Sequence, residues 1–159
     1  MKNIDLPIEL QRGTEPHDVM ARECLVARLR MLNREVTGYY DDALRPLGVK
    51  VSQTNVLTAI AKLQPVGPGV IGELLHIEKS TLSRNLERLR SRGWLRVRAG
   101  DDDRSHLLEV TAKGRKLLEE ALPLWRKAQK KAHDLLGEPT VEALSGTANR
   151  MWARSLSGG

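Results

Sequence analysis

EKSTLSRNLERLRSRGWLRVRAGDDDR, residues 78–104, decides how the rest of the chain is read. Leu82, Leu86 and Leu89 recur at the three- and four-residue spacing of one helix face, which predicts a buried stripe on a helix over 79–91. The other face carries Ser80, Thr81, Ser83, Arg84, Asn85 and Arg88, with Lys79 at the helix start. Gly93 follows, at the place where a left-handed cap ends helices. Leu95 and Val97 then alternate with Arg96 and Arg98, the pattern of a half-buried strand. Leu108 and Val110 alternate with Leu107 and Glu109 in the same way, so the two runs form a β-hairpin across a loop at 99–105.

Charge singles out the same stretch. The 159-residue chain has a formal net charge of +6. From Lys79 to Arg98 there are seven Lys or Arg and one acid, Glu87, which leaves the rest of the chain without excess charge. A basic chain favours an anionic partner, and its concentration on one helix and hairpin favours nucleic acid over a membrane surface. The single cysteine, Cys24, excludes an intramolecular disulfide and a multi-cysteine zinc site. His17, His76, His106 and His133 are dispersed, without a triad or metal spacing. Gly67-Pro68-Gly69 lacks the Lys-Ser/Thr of a phosphate loop. An enzyme is therefore the disfavoured class, and no cofactor is expected. No signal peptide and no run of membrane-spanning length is visible, so the expected location is cytoplasmic, with no membrane partner. The chain has no Phe, so any core must come from Leu, Val, Ile and Ala.

Outward from that stretch the pattern is helical. Residues 1–15 read as an irregular arm, and a helix is expected over 17–44, with Leu25, Leu29, Leu32, Val36 and Tyr40 at helical spacing. Pro46-Leu47-Gly48 ends it, and Ser52 is the expected cap of a second helix over 53–63. Two prolines among residues 64–69 predict an irregular turn, followed by a short helix over 70–75. Beyond the hairpin, Thr111 caps a long helix over 112–136 that contains Pro123, where a bend or a local break in bonding is expected. A last helix covers 140–155. The expected fold is mostly α with a small β-hairpin wing: a winged helix-turn-helix core at 47–111, flanked by helical regions at 17–46 and 112–156.

That plan has a physical logic. Ile71, Leu74 and Leu75 brace Leu82, Leu86 and Leu89, so the outer face of the second helix can enter a major groove. Ser and Thr let backbone approach phosphate. Arg84 has the fork that matches the two acceptors of guanine, Arg88 can reach a base edge or phosphate, and Lys79 suits a phosphate. Arg104 is the candidate for the adjacent minor groove, with Asp102 pairing an arginine to set its direction.

The chain resembles the MarR (multiple antibiotic resistance regulator) family of transcriptional regulators over about 22–154. The residues that carry the resemblance are Ile71-Gly72-Glu73-Leu74-Leu75, Lys79-Ser80-Thr81-Leu82-Ser83-Arg84, Leu86-Glu87-Arg88-Leu89 with Arg92-Gly93-Trp94-Leu95, the wing motif Asp102-Asp103-Arg104, and Leu108-Glu109-Val110-Thr111-Ala112-Lys113-Gly114. The resemblance implies a homodimer on a pseudo-palindromic, double-stranded DNA operator. It implies repression more often than activation, and control by a small ligand or an oxidant. The apolar face of Leu117, Leu118, Ala121, Leu122, Trp125, Ala128, Ala132, Leu135 and Leu136, continued by Met151 and Trp152, agrees with a dimer built from the chain's ends. The family's effector cleft maps here to candidates Arg30, Tyr39, Tyr40 and Trp125, although an isolated aromatic on an apolar face is more often core. Some members sense hydroperoxides through a cysteine near the start of the first helix, which makes a thiol sensor at Cys24 the alternative. Cys24 sits about two residues early for that subgroup, and Arg28 and Thr54 stand where its supporting tyrosines belong, so an incidental cysteine is favoured. A winged-helix module that binds protein rather than DNA is the rival of another class.

Overall fold

In a computed structural model, residues 12–100 and 106–157 are described, with side chains to Arg154. The chain divides into two compact units at Thr37–Gly38, taken separately below.

In the first unit the single helix expected over 17–44 is broken. Helix α1 spans Pro16–Glu23 and α2 spans Leu25–Leu44, the latter running on into the second unit. Cys24 between them is extended, at φ −63° and ψ 102°. No Gly or Pro marks the break. A side chain bridges the break, because the Arg28 guanidinium donates to Arg22 O and, at 3.0 Å, to Cys24 O, which also accepts the Arg28 N–H. Helix periodicity runs through the break unaltered, which is why the sequence pattern reads as continuous.

The second unit holds the core. Arg45–Leu47 form one 3-10 turn, which closes on a left-handed Gly48. Helix α3 spans Val51–Leu63, two residues earlier than Ser52 predicts as a cap. Its first turn is satisfied by two other side chains: Asp41 accepts the Val51 N–H at 2.8 Å, and Gln53 accepts the Lys50 N–H at 3.0 Å. Ser52 consequently lies inside the helix. Helix α4 spans Pro68–Leu75, and so takes in residues expected to be turn. Proline at the first helical position loses nothing, since its missing N–H would have had no helical partner. Val66, also expected to be irregular, forms a bridge with Leu108, donating at 3.4 Å and accepting at 2.9 Å.

Helix α5 spans Lys79–Ser91, as its leucine spacing predicts. It ends in a Schellman arrangement, in which Gly93 N–H donates to Arg90 O at 2.8 Å and Trp94 N–H to Leu89 O at 3.0 Å. Gly93 adopts φ 72°, which a side chain would strain. Strands β1 (Leu95–Ala99) and β2 (His106–Val110) pair antiparallel, with Leu95 opposite Val110 and Arg96 opposite Glu109. Leu95, Leu108 and Val110 are buried, but Val97 is 43% exposed, so the expected burial of β1 holds only at its base. Gln64 accepts the Val110 N–H at 2.8 Å.

Helix α6 spans Ala112–Leu136 and runs through Pro123; α7 spans Glu138–Ser157, starting two residues before the expected 140. Thr111 caps α6 as predicted, its hydroxyl accepting the Gly114 N–H at 3.0 Å. The core is aliphatic around one indole, with Leu44, Leu57, Ile60, Ile71, Leu89 and Leu108 fully buried and Trp94 beside them. Toward the far end of α6, Tyr40 packs on Trp125 with ring centroids 5.9 Å apart, and its hydroxyl donates to Gln129 Oε1. Gln129 in turn bonds His133 at 2.9 Å. Burial raises the Tyr40 phenol above its ordinary 10.0.

Two predictions follow from this packing. Leu57→Ala should lower unfolding free energy by about 2–5 kcal/mol in urea titration, because its side chain is wholly enclosed. The raised Tyr40 value favours the neutral phenol in the folded state. Its contribution to stability is therefore whole below about pH 10 and declines as pH rises from there through the folded value. Wild type should lose stability above about pH 10 more steeply than Tyr40→Phe, and parallel pH profiles would refute this.

Candidate nucleic-acid interface

Two hydrophobic anchors set the outer face of α5. Leu82 and Leu89 are buried against the core, at 4% and 0% exposure, with Leu86 packed partly beside them. The remaining arc therefore faces solvent: Lys79, Ser80, Thr81, Ser83, Arg84 and Arg88 are all exposed. Among the described residues, Lys79, Arg84 and Arg88 form no ion pair. The Arg84 guanidinium hydrogen-bonds only the Thr81 hydroxyl among the described residues, at 3.3 Å, which leaves most of its fork unused there. Arg90, by contrast, is held by Glu87 at 3.1 Å.

Asn85 departs from expectation. Its residue type predicts the outer face, but it is 7% exposed. Lying three residues after Leu82 and four before Leu89, it falls on the braced side. A polar residue between two leucines at that spacing was the signal for burial.

The wing supplies a feature that the sequence reading missed. Glu109, directly opposite Arg96, accepts from Arg96 Nε at 2.8 Å and lies 3.7 Å from Arg98 Nε. One carboxylate thus orients two arginines on the hairpin's outer face, and cross-strand register was the signal that could have found it. Asp102 and Arg104 lie outside the described residues. At the base of the wing the Arg92 guanidinium lies over the Trp94 ring, 5.6 Å from its centroid. Between α4, α5 and the hairpin opens a groove of about 1120 Å³, with Leu82, Leu86, Val97 and Leu108 along its floor and Lys79 and Arg90 at its edge. Val97 is exposed because it faces this groove rather than the core.

The candidate ligand residues do not all come together. Trp125 lines a cavity of about 500 Å³ with Leu44, Thr54, Asn55, Thr58, Glu119 and Leu122, walled by α2, α3 and α6. Tyr40 touches the Trp125 ring but does not line that cavity, and the Tyr39 ring carries Lys131 Nζ 4.0 Å from its centroid. Arg30 is an exposed residue of the first unit. Cys24 is half-buried at the α1–α2 break. Among the described residues no three His, Cys, Asp or Glu are grouped to hold a metal ion, and no helix is long and apolar enough to cross a membrane.

Known proteins share this arrangement. The MarR family model matches residues 47–105, the segment from the end of the 3-10 turn through α5 and the first strand of the hairpin. The chain is 29% identical over 96 residues to the uncharacterized HTH-type transcriptional regulator YwoH of Bacillus subtilis (strain 168), covering 60% of this chain and 70% of that protein. Among solved structures, it superposes on apo MarR from E. coli with a TM-score of 0.65 at 23% identity, covering 79% of this chain and 95% of that one, a likeness of fold alone. The M. tuberculosis transcriptional regulator MosR, solved in complex with DNA, is 35% identical with a TM-score of 0.70, covering 85% of this chain and 98% of MosR. With a braced helix, a hairpin wing and that degree of identity over nearly the whole of a relative, the chain belongs to the MarR family, whose members are transcriptional regulators and not enzymes.

Proposed function

We propose that this regulator is a repressor that binds a pseudo-palindromic DNA operator as a homodimer and is released by a small ligand. The observation that carries the reading is the outer face of α5, which presents Lys79, Arg84 and Arg88 to solvent without acidic partners, on a helix whose other face is locked into the core. A relative of 35% identity, MosR, is known in complex with DNA. In this reading Arg84 and Arg88 meet base edges or phosphate, Lys79 meets phosphate, and Ser80, Thr81 and Ser83 make short contacts to the backbone. Asn85 is left out because it is buried. Arg104, oriented by Asp102, is assigned to the minor groove beside the wing.

The dimer assignment rests on unsupported apolar surface. In the first unit Met20 and Met31 are 71% and 72% exposed, and Leu25 and Val26 nearly as much. In the second, Leu122, Leu135, Leu144 and Trp152 stand between 43% and 47% exposed. Apolar side chains on both ends of one chain suit a second copy, which supports reading 17–46 and 112–156 as dimerisation regions and 47–111 as the DNA-binding domain. The Trp125 cavity is the favoured effector site: it combines an apolar floor with three hydrogen-bonding side chains, Thr54, Asn55 and Thr58.

Arg84→Ala should lose about 1–3 kcal/mol of discrimination at one base position, while Lys79→Ala should weaken binding to all sequences and reduce the salt slope by about one. Binding curves on single-base operator variants and a salt titration measure both, and a chain that binds no duplex at all would leave the protein-interaction module as its class. In sedimentation the protein should run as a dimer, and it should protect an inverted repeat whose half-sites lie about 34 Å apart. A monomer with full operator affinity contradicts the dimer.

A further inference from the structure

We infer that Thr111 is a positioning residue for α5, joining the exit of that helix rigidly to the entry of α6. The inference rests on the reading of α5 as the DNA-contacting helix.

Past the end of α5 come three consecutive carbonyls, those of Arg92, Gly93 and Trp94. Thr111, the cap of α6, and Lys113 in its first turn take all three. Lys113 Nζ donates to Arg92 O at 2.9 Å, the Thr111 hydroxyl donates to Gly93 O at 2.7 Å, and the Thr111 N–H donates to Trp94 O at 3.1 Å. The same hydroxyl accepts the Gly114 N–H at 3.0 Å, so one oxygen serves the exit of one helix and the entry of the next. The Lys113 ammonium sits at the C-terminal end of α5, the favourable sense for that helix's dipole.

Packing removes the remaining freedom. Gly114 lies so close to the turn that a methyl there would sit 2.2 Å from Trp94 O and 2.8 Å from Val110 Cγ1. Trp94 is itself 6% exposed and covered by Arg92. On the α5 side the left-handed Gly93 turn is already closed by its two Schellman bonds. A joint bonded at three successive carbonyls, capped on the far side and too tight for a methyl leaves no soft torsion between the two helices. A tilt of α6 must carry the end of α5 with it.

The consequence is a route for regulation. Leu118, where the Trp125 cavity begins on α6, stands about 10 Å along the helix from Thr111 at 1.5 Å per residue. Whatever displaces α6 at the cavity therefore reaches the end of α5 through this joint, at the base of the wing.

Two substitutions separate positioning from folding. Thr111→Ser keeps donor and acceptor. Thr111→Asp keeps an acceptor for the Gly114 cap but donates nothing and sets a carboxylate against the Gly93 carbonyl. Full-length variants are compared on the operator selected from random DNA and on an unrelated duplex at the same salt, with thermal unfolding alongside. Because the added charge weakens both complexes, the ratio of the two affinities is the readout. The ratio for Thr111→Ser should stay within about twofold of wild type, and that for Thr111→Asp should fall about tenfold or more with the protein still folded. An unchanged ratio in folded Thr111→Asp overturns the inference and leaves the DNA reading standing. If Thr111→Asp is unfolded at the assay temperature, Thr111→Ala decides: it removes the hydroxyl's bond to the Gly93 carbonyl and costs α6 only its cap, and an undiminished ratio in that folded variant overturns the inference equally. Wild type without any sequence preference overturns the DNA reading, and this inference with it.

Discussion

Leu89 lies entirely out of water, at the point where α5 meets the rest of the core, with Leu82 buried one to two turns before it. Burying a leucine contributes about 1.5–3 kcal/mol, and two on one face of a short helix fix that helix in rotation as well as position. Rotation is what matters here. Turning α5 by one residue would carry Arg84 and Arg88 toward the aliphatic core, where an unpaired guanidinium is far too costly to keep. The polar face is thus defined by what the apolar face cannot give up. Without phenylalanine the core reaches this specificity through many branched aliphatic side chains and a single buried indole, Trp94, placed at the exit of the same helix.

Electrostatics divides the basic segment by role. Arg90 and Arg96 are neutralised locally, by Glu87 and Glu109, and Arg92 is spread over the Trp94 ring. These arginines contribute to the surface of the protein itself. Exposed pairs of this kind are worth little in stability, typically under about 1 kcal/mol each, but they hold long side chains in place. Lys79, Arg84 and Arg88 stand apart as cations without such partners among the described residues, which is why the proposed contacts to DNA concentrate there.

Different kinds of signal made the fold and the site unequally legible. The bounds of α5 and α6 were readable because long leucine periodicity and a Thr111 cap act within one element. The break at Cys24 was not, since it is supported by an arginine four residues on rather than by a glycine or proline. The start of α3 was misplaced because Asp41, ten residues upstream, supplies an acceptor that no local pattern reveals. Asn85 was misassigned by residue type: amide side chains are usually outside, but its spacing from Leu82 and Leu89 puts it inside. Val97 shows the reverse, an apolar residue at a buried phase that faces a groove because the wing extends past the core.

What the sequence determined by itself was the order of the helices from α3 onward, the hairpin, the concentration of charge and the leucine brace, because each follows from periodicity or composition within a few consecutive residues. Only the tertiary structure decided which cations remain unpaired, since pairing depends on which carboxylate lies across the hairpin or one turn away. It also decided that the carbonyls after α5 and the start of α6 form one joint, from residues about twenty positions apart. Hydrogen bonds over such a separation depend on where packing brings the chain back, and no local pattern of residues carries that information.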